Sequence, residues 1–187
     1  SLTDINLSEM TYYTFEKGTF AGVEGVIVSA TGYTGSGGFE IYFPNDAAET
    51  IWKAVFEAGK AQNIQPIGLA ARDTLRLEMG YCLHGNDITE DTTPIESGLS
   101  WIVSKNKDFI GSNIVKKQIS KGVDEHLIAF IINDRGIPRK GYTILNTKDE
   151  KIGYVTSGTM SPSLKIAIGM GYVKNKEHQL GNTIYIL

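Results

Sequence analysis

A few patterns in the sequence can do chemistry. The densest is Thr31-Gly-Tyr-Thr-Gly-Ser-Gly-Gly38, four glycines in eight residues, followed at once by Phe39-Glu40-Ile41. Nucleotide loops hand their glycines to a helix N-terminus. Here they lead into a β-rich run, and the Lys-Ser/Thr of a P-loop is missing, so a tight turn fits better than a phosphate cradle. Glu40 shares a strand face with Tyr42, opposite Phe39 and Ile41. Two readings of it stay open. It is a solvated outer-face residue, or it accepts paired hydrogen bonds from an amino-pyrimidine-like ligand.

Arg72 lies in a helical stretch after the apolar run Gly68-Leu-Ala-Ala71 and shares a face with Arg76. A guanidinium suits bidentate grip on a carboxylate ligand. The plain alternative is an ion pair of Arg72 with Asp73 or Glu78. Tyr12, Tyr13 and Lys17 read as a ligand wall or as core plus surface. Arg135 and Arg139 flank a turn and read as an exposed basic loop. Cys82 and His84 lack a third group or metal spacing, and no Ser/His/Asp arrangement is visible. A small-molecule site around Tyr33, Glu40 and Arg72 is as far as residue chemistry reaches.

The elements that must position these residues follow from pattern. Residues 22–30 and 39–43 predict two strands of a hairpin-like unit, ended by Pro44. Asn45 is placed to cap a helix running to about Gln62, on which Ile51 and Val55, and Trp52 and Phe56, repeat at helical spacing. Residues 67–78 predict a second helix, and residues 112–120 a short one capped by Ser112. Gly85 to Pro94 reads as loop and Trp101-Ile-Val103 as a short strand. From about His126 short β-runs alternate with turn signals, which predicts a small all-β barrel or sandwich. The expected fold is α+β: antiparallel sheets with two main helices, then a small all-β barrel domain. The expected division is residues 1–105 and 106–187.

Composition narrows the function classes. The chain has 187 residues, 41% apolar and 21% charged, with a net charge of −3, which excludes intrinsic disorder. A mildly acidic chain without a long basic run is a poor nucleic-acid binder. One cysteine excludes a disulfide framework and a Cys-based zinc cluster, and no metal site is expected. No apolar run approaches the ~20 residues of a membrane span.

Specific strings carry a resemblance. Thr31-Gly-Tyr-Thr-Gly-Ser-Gly-Gly-Phe-Glu-Ile41, Gly68-Leu-Ala-Ala-Arg-Asp-Thr-Leu-Arg-Leu-Glu78, Gly85-Asn-Asp-Ile88, Thr93-Pro-Ile-Glu96, Thr156-Ser-Gly-Thr-Met-Ser-Pro-Ser-Leu164 and Ile168-Gly-Met-Gly-Tyr-Val173 occur in order across nearly the whole chain. Together they resemble the T-protein family of the glycine cleavage system, folate-dependent aminomethyltransferases. The family protein is about twice this length. The expectation is therefore a C-terminal half without its last segment, consistent with a start lacking Met and an end in a β-rich run.

The resemblance implies three domains around a central folate cavity. Residues up to about 105 would contribute parts of the first two, and the rest the C-terminal β-barrel. It implies transfer of a one-carbon unit from the aminomethyl-lipoyl carrier protein (H-protein) to tetrahydrofolate, with release of ammonia. Glu40 and Arg72 fall on folate-contacting positions of the family, and Tyr33, Tyr12, Tyr13 and Lys17 near the ligand. The family aspartate beside the reacting folate nitrogen lies in the other half, so no catalytic residue is expected here and the isolated chain should be inactive. Ser36-Gly37 stands where the family usually has an acidic pair, and His84 where a tyrosine is common. Non-catalytic and tRNA-modifying folate-binding proteins of the same scaffold are the alternative. The compartment implied is the cytoplasm for a bacterial source and the mitochondrial matrix for a eukaryotic one.

Overall fold

The β-branched run Val26-Ile-Val28 forms the middle of β2 (Val23–Ser29), the central strand of a three-stranded antiparallel sheet. In this computed structural model, which describes residues 1–187, β1 (Phe15–Phe20) and β3 (Glu40–Tyr42) flank it. Phe20 pairs with Val23, so Ala21 and Gly22 alone make the turn, both with positive φ (51° and 78°). That is the mirror-type turn whose twist matches antiparallel strands. β1 is an element that the sequence pattern did not single out. β2 and β3 are the expected hairpin-like unit, with Phe39 and Phe43 just outside the paired residues.

One face of this sheet packs on helix α1 (Ala48–Gly59). Phe20, Val26 and Val28 meet Ile5, Ala47 and Ile51, with Ile41 and Val55 at the margin. Each fully buried Val or Ile contributes roughly 1.5–3 kcal/mol. Only the Ile51–Val55 stripe turns inward. Trp52 stays 57% exposed, its ring 4.6 Å from that of Phe56. Asn45 does not cap α1. It opens a 3₁₀ turn (Asn45–Ala47), and Ala47 takes the cap position without a side-chain hydrogen bond. Past Gly59 the chain tightens into another 3₁₀ turn (Lys60–Gln62), stopped by Asn63 in the left-handed region (φ 56°).

These elements belong to the first of two compact units, Ser1–Arg72 and Asp73–Leu187. Helix α2 (Leu69–Glu78) starts in the first and ends in the second. The second unit is built on β4 (Glu125–Ile131), β5 (Thr143–Leu145), β6 (Lys151–Met160), β7 (Ala167–Lys174) and β8 (Tyr185–Ile186). They form one antiparallel sheet in the order β4-β7-β6-β5-β8. Ile144, Ile152, Val155 and Val173 make one core, and Leu77, Ile168 and Met170 another. The architecture is α+β with a C-terminal β domain, as expected.

Three local expectations change. Trp101-Ile-Val103 is not a strand: Ser100–Ile102 is a 3₁₀ turn with Trp101 74% exposed, and three apolar residues are too few for periodicity to decide. Helix α3 (Ser112–Lys121) is as long as α2, at 10 residues. Its cap position is Gly111, because a left-handed backbone there (φ 88°) turns the chain into the helix and leaves Ser112 inside it.

The polar stretch Gly85 to Pro94 holds a buried charge. Asp87 is 0% exposed and Arg76, near the end of α2, is 1%. Arg76 Nη1 donates to Asp87 Oδ2 at 2.5 Å and to the Tyr81 carbonyl at 3.0 Å, and Nη2 donates to Ser157 Oγ at 3.0 Å. Asp87 also accepts from Leu83 N (2.9 Å) and Thr156 Oγ1 (2.5 Å). Consecutive residues of a strand normally face opposite ways. The pairing of β6 with β7 shifts between Val155 and Ser157, and this bulge lets Thr156 and Ser157 both reach the pair. No helix is long and apolar enough to cross a membrane.

Candidate functional site

Residues 31–39 leave the end of β2 and return as β3, so the glycine-rich segment is a loop between strands and meets no helix N-terminus. Gly38 has φ 146°, a backbone that only glycine adopts freely, immediately before the chain re-enters the sheet. The pairing places Ser29 opposite Glu40 and Ile27 opposite Tyr42. Ile41 packs on the core, so Glu40 and Tyr42 look out from the other face. This is the alternation the sequence predicts.

The loop and the first turn of α2 enclose an open cleft of about 230 Å³, walled by Tyr33, Glu40, Arg72 and the loop glycines. The Arg72 guanidinium carbon lies 4.4 Å from the Tyr33 ring centroid, a cation–π stack. Arg72 does not take up the alternative of an ion pair. Asp73 pairs instead with Arg76, at 2.8 Å from Nε and 2.7 Å from Nη2. Residues three apart on a helix face each other, whereas neighbours such as Arg72 and Asp73 do not. Glu78 is also engaged elsewhere: it accepts from Ser161 Oγ (2.5 Å), Ser163 N (3.1 Å) and Ser163 Oγ (2.7 Å). Those donors, the Ser161 hydroxyl first, hold its carboxyl below the usual carboxylate range.

Tyr12 and Tyr13 stand at the same end of the sheet. Tyr13 N donates to the Ala30 carbonyl (3.0 Å) and Ala30 N to the Thr14 carbonyl (2.9 Å), which fixes their turn beside the start of the glycine loop. Their rings are 4.4 Å apart and exposed. Lys17 is not brought to the cleft. It pairs with Ile27, a step away from the Ser29–Glu40 row, and its chain leans toward Gly25, farther still. Thr31, which the sequence reading did not single out, donates its hydroxyl to Glu40. Thr31 lies two residues past the end of β2, at the start of the loop, where strand alternation no longer fixes the direction of a side chain.

The other candidates gather no site. Burial, then the charge of Asp87, pushes the Cys82 thiol up, the opposite of an activated nucleophile. Arg135 and Arg139 are exposed on their loop. No group of three or more His, Cys, Asp or Glu side chains is arranged to hold a metal ion.

Comparison with known proteins adds identity to this geometry. Residues 1–107 match the family model of the GCVT N-terminal domain, and residues 126–187 that of the glycine cleavage T-protein C-terminal barrel domain. An aminomethyltransferase of Bacteroides thetaiotaomicron is 59% identical over 187 residues, covering 99% of this chain and 52% of that protein. One of Flavobacterium psychrophilum is 56% identical, covering 100% of this chain and 52% of its own length. The crystal structure of glycine cleavage system aminomethyltransferase T from Bartonella henselae superposes with a TM-score of 0.87 at 33% identity, over 96% of this chain and 49% of that one. The chain thus spans about half the length of the relatives it matches.

Proposed function

Because the chain belongs to the glycine cleavage T-protein family, we propose that it is the C-terminal part of an aminomethyltransferase and that its first unit carries the tetrahydrofolate-contacting cleft. The observation that carries this reading is the Arg72–Tyr33 stack lining one cleft with Glu40. A flat heteroaromatic with amino donors suits this set. Glu40 offers acceptor oxygens, the stacked guanidinium offers donors, and the glycine loop lets backbone approach the ring plane. At about 230 Å³ the cleft is smaller than the roughly 300 Å³ or more that encloses a drug-sized ligand. It therefore fits one end of tetrahydrofolate, with the remainder covered by the other half of the protein.

In this reading the whole enzyme moves a one-carbon unit from the aminomethyl-lipoyl carrier protein to tetrahydrofolate and releases ammonia. Residues 1–105 belong to its folate-holding domains and 106–187 to its C-terminal barrel, a division by family domain rather than by compactness. A bacterial source places it in the cytoplasm. This chain's own residues bind and orient: Glu40 and Arg72 hold the ring, while Tyr33, Tyr12 and Tyr13 wall it. Fixing a reactant in register is worth several kcal/mol only in a complete cavity, so the chain alone turns over nothing.

The test is calorimetric titration of the chain with tetrahydrofolate, beside the Glu40→Ala, Arg72→Ala double variant. Binding by the wild type that vanishes in the variant supports the reading. Equal binding by both would refute the site, and aminomethyl transfer by the purified chain would refute its dependence on the missing half.

A further inference from the structure

Glu40 is not alone on its strand face. Ser29 is paired opposite it on that face while Val28 and Ala30 are buried, and Thr31, two residues past the end of β2, reaches the same side through its hydroxyl. Thr31 Oγ1 is hydrogen-bonded to Glu40 Oε2 and lies 2.9 Å from Ser29 Oγ. A hydroxyl has one proton to give. The carboxylate is the stronger acceptor, so the Thr31 proton goes to Glu40, and the Ser29 proton is left to be donated to Thr31. Thr31 engages Oε2, and Oε1 takes no part in this bond.

We propose that Ser29 and Thr31 form a positioning relay: the Thr31 hydroxyl, itself held by Ser29, fixes the plane of the Glu40 carboxylate so that Oε1 stays an open acceptor for the ligand. The inference rests on the folate reading for the ligand's identity, and the ordering of Glu40 can be tested without it. A glutamate side chain has three rotatable bonds, and on an exposed sheet face it samples several rotamers unless a partner holds it. Thr31 touches no ligand in this scheme and acts only through Glu40.

The experiment uses the 187-residue chain as wild type, Thr31→Val and Thr31→Ser, with two readouts. The first is tetrahydrofolate affinity by calorimetry. The second, without ligand, is the rotamer distribution of Glu40 from side-chain carbon couplings in nuclear magnetic resonance. Thr31→Val keeps the shape and deletes the hydroxyl, and Thr31→Ser returns the hydroxyl. The expected result is about tenfold weaker binding in Thr31→Val, as for loss of a hydrogen bond to a charged group, and near wild-type binding in Thr31→Ser. In parallel, Glu40 averages over rotamers in the valine variant alone. A valine variant whose Glu40 stays as ordered as in the wild type overturns the relay, as does a serine variant that behaves like valine. If the wild type takes up no tetrahydrofolate while Glu40 order still depends on the hydroxyl, the relay stands and the folate reading falls.

Discussion

Asp87→Asn isolates what the buried charge does. Asparagine has the shape of aspartate, and each contact can be retraced. Its Oδ1 takes the place of Asp87 Oδ2, accepting from Arg76 Nη1 and Leu83 N, where the distances are 2.5 and 2.9 Å. Its amide then faces Thr156, whose hydroxyl can rotate from donor to acceptor. Tyr172 OH donates to the Asp87 backbone carbonyl, which does not change. The hydrogen bonds survive, and the negative charge opposite a guanidinium 1% exposed is lost. Breaking a buried pair costs about 3–5 kcal/mol. Asp73 still pairs with Arg76 but is 50% exposed and screened, so the low end, about 3 kcal/mol, is expected. With a urea slope of about 1–3 kcal/mol/M, the unfolding midpoint should fall by roughly 1–3 M. Amide exchange at Met170 and Tyr172 assigns the loss to the second unit. The double variant Arg76→Met, Asp87→Leu should cost less than Asp87→Asn, since no charge is stranded. An Asp87→Asn midpoint within about 0.3 M of wild type would refute the reasoning.

Two further outcomes follow from the second unit. The Glu78 carboxyl is held low by its serine donors, so its contribution is complete above the ordinary glutamate value, about 4.3, and is lost as pH falls through its lower folded value. Glu78→Gln should therefore be less stable at neutral pH, with a deficit that closes under acid conditions; urea midpoints showing a pH-independent deficit would contradict this. Gly171→Ala should prevent the second unit from folding, because an added Cβ would lie 2.5 Å from the Tyr154 carbonyl oxygen and 2.8 Å from Ile144 Cδ1, in the middle of the β6–β7 pairing. Wild-type circular dichroism from that variant would show that the strands can separate.

What the sequence makes legible here is what periodicity governs. Val26-Ile-Val28 and the Ile51–Val55 stripe identify themselves because burial repeats at two and at 3.6 residues. Asp87 hides because its neighbours are polar. Its partners Arg76 and Thr156 lie 11 and 69 residues away, Arg76 reaches on to Ser157 across 81 residues, and no local window contains such a network. β6 continues past the bulge at Thr156 and through Gly158, a poor strand former, to Met160 because β7 pairs with Ser157 to Met160. The two arginines of α2 look alike in sequence. Their different surroundings appear only when Asp73 selects the partner at three residues' distance over the one beside it.

The cleft also explains why its opposite charges remain usable. Glu40 and Arg72 line the same space, yet no salt bridge joins them. An exposed pair of this kind gains only about 0–1 kcal/mol, so a modest competing contact on each side is enough to keep them apart. Each has one: a hydroxyl for the carboxylate and an aromatic face for the guanidinium. Both partners are neutral and leave charge uncancelled. A site whose charges had closed on each other would have to break that pair before binding. Held by Thr31 and Tyr33 instead, Glu40 and Arg72 stay apart, which is the arrangement that the proposed planar ligand, carrying both donors and acceptors, would need.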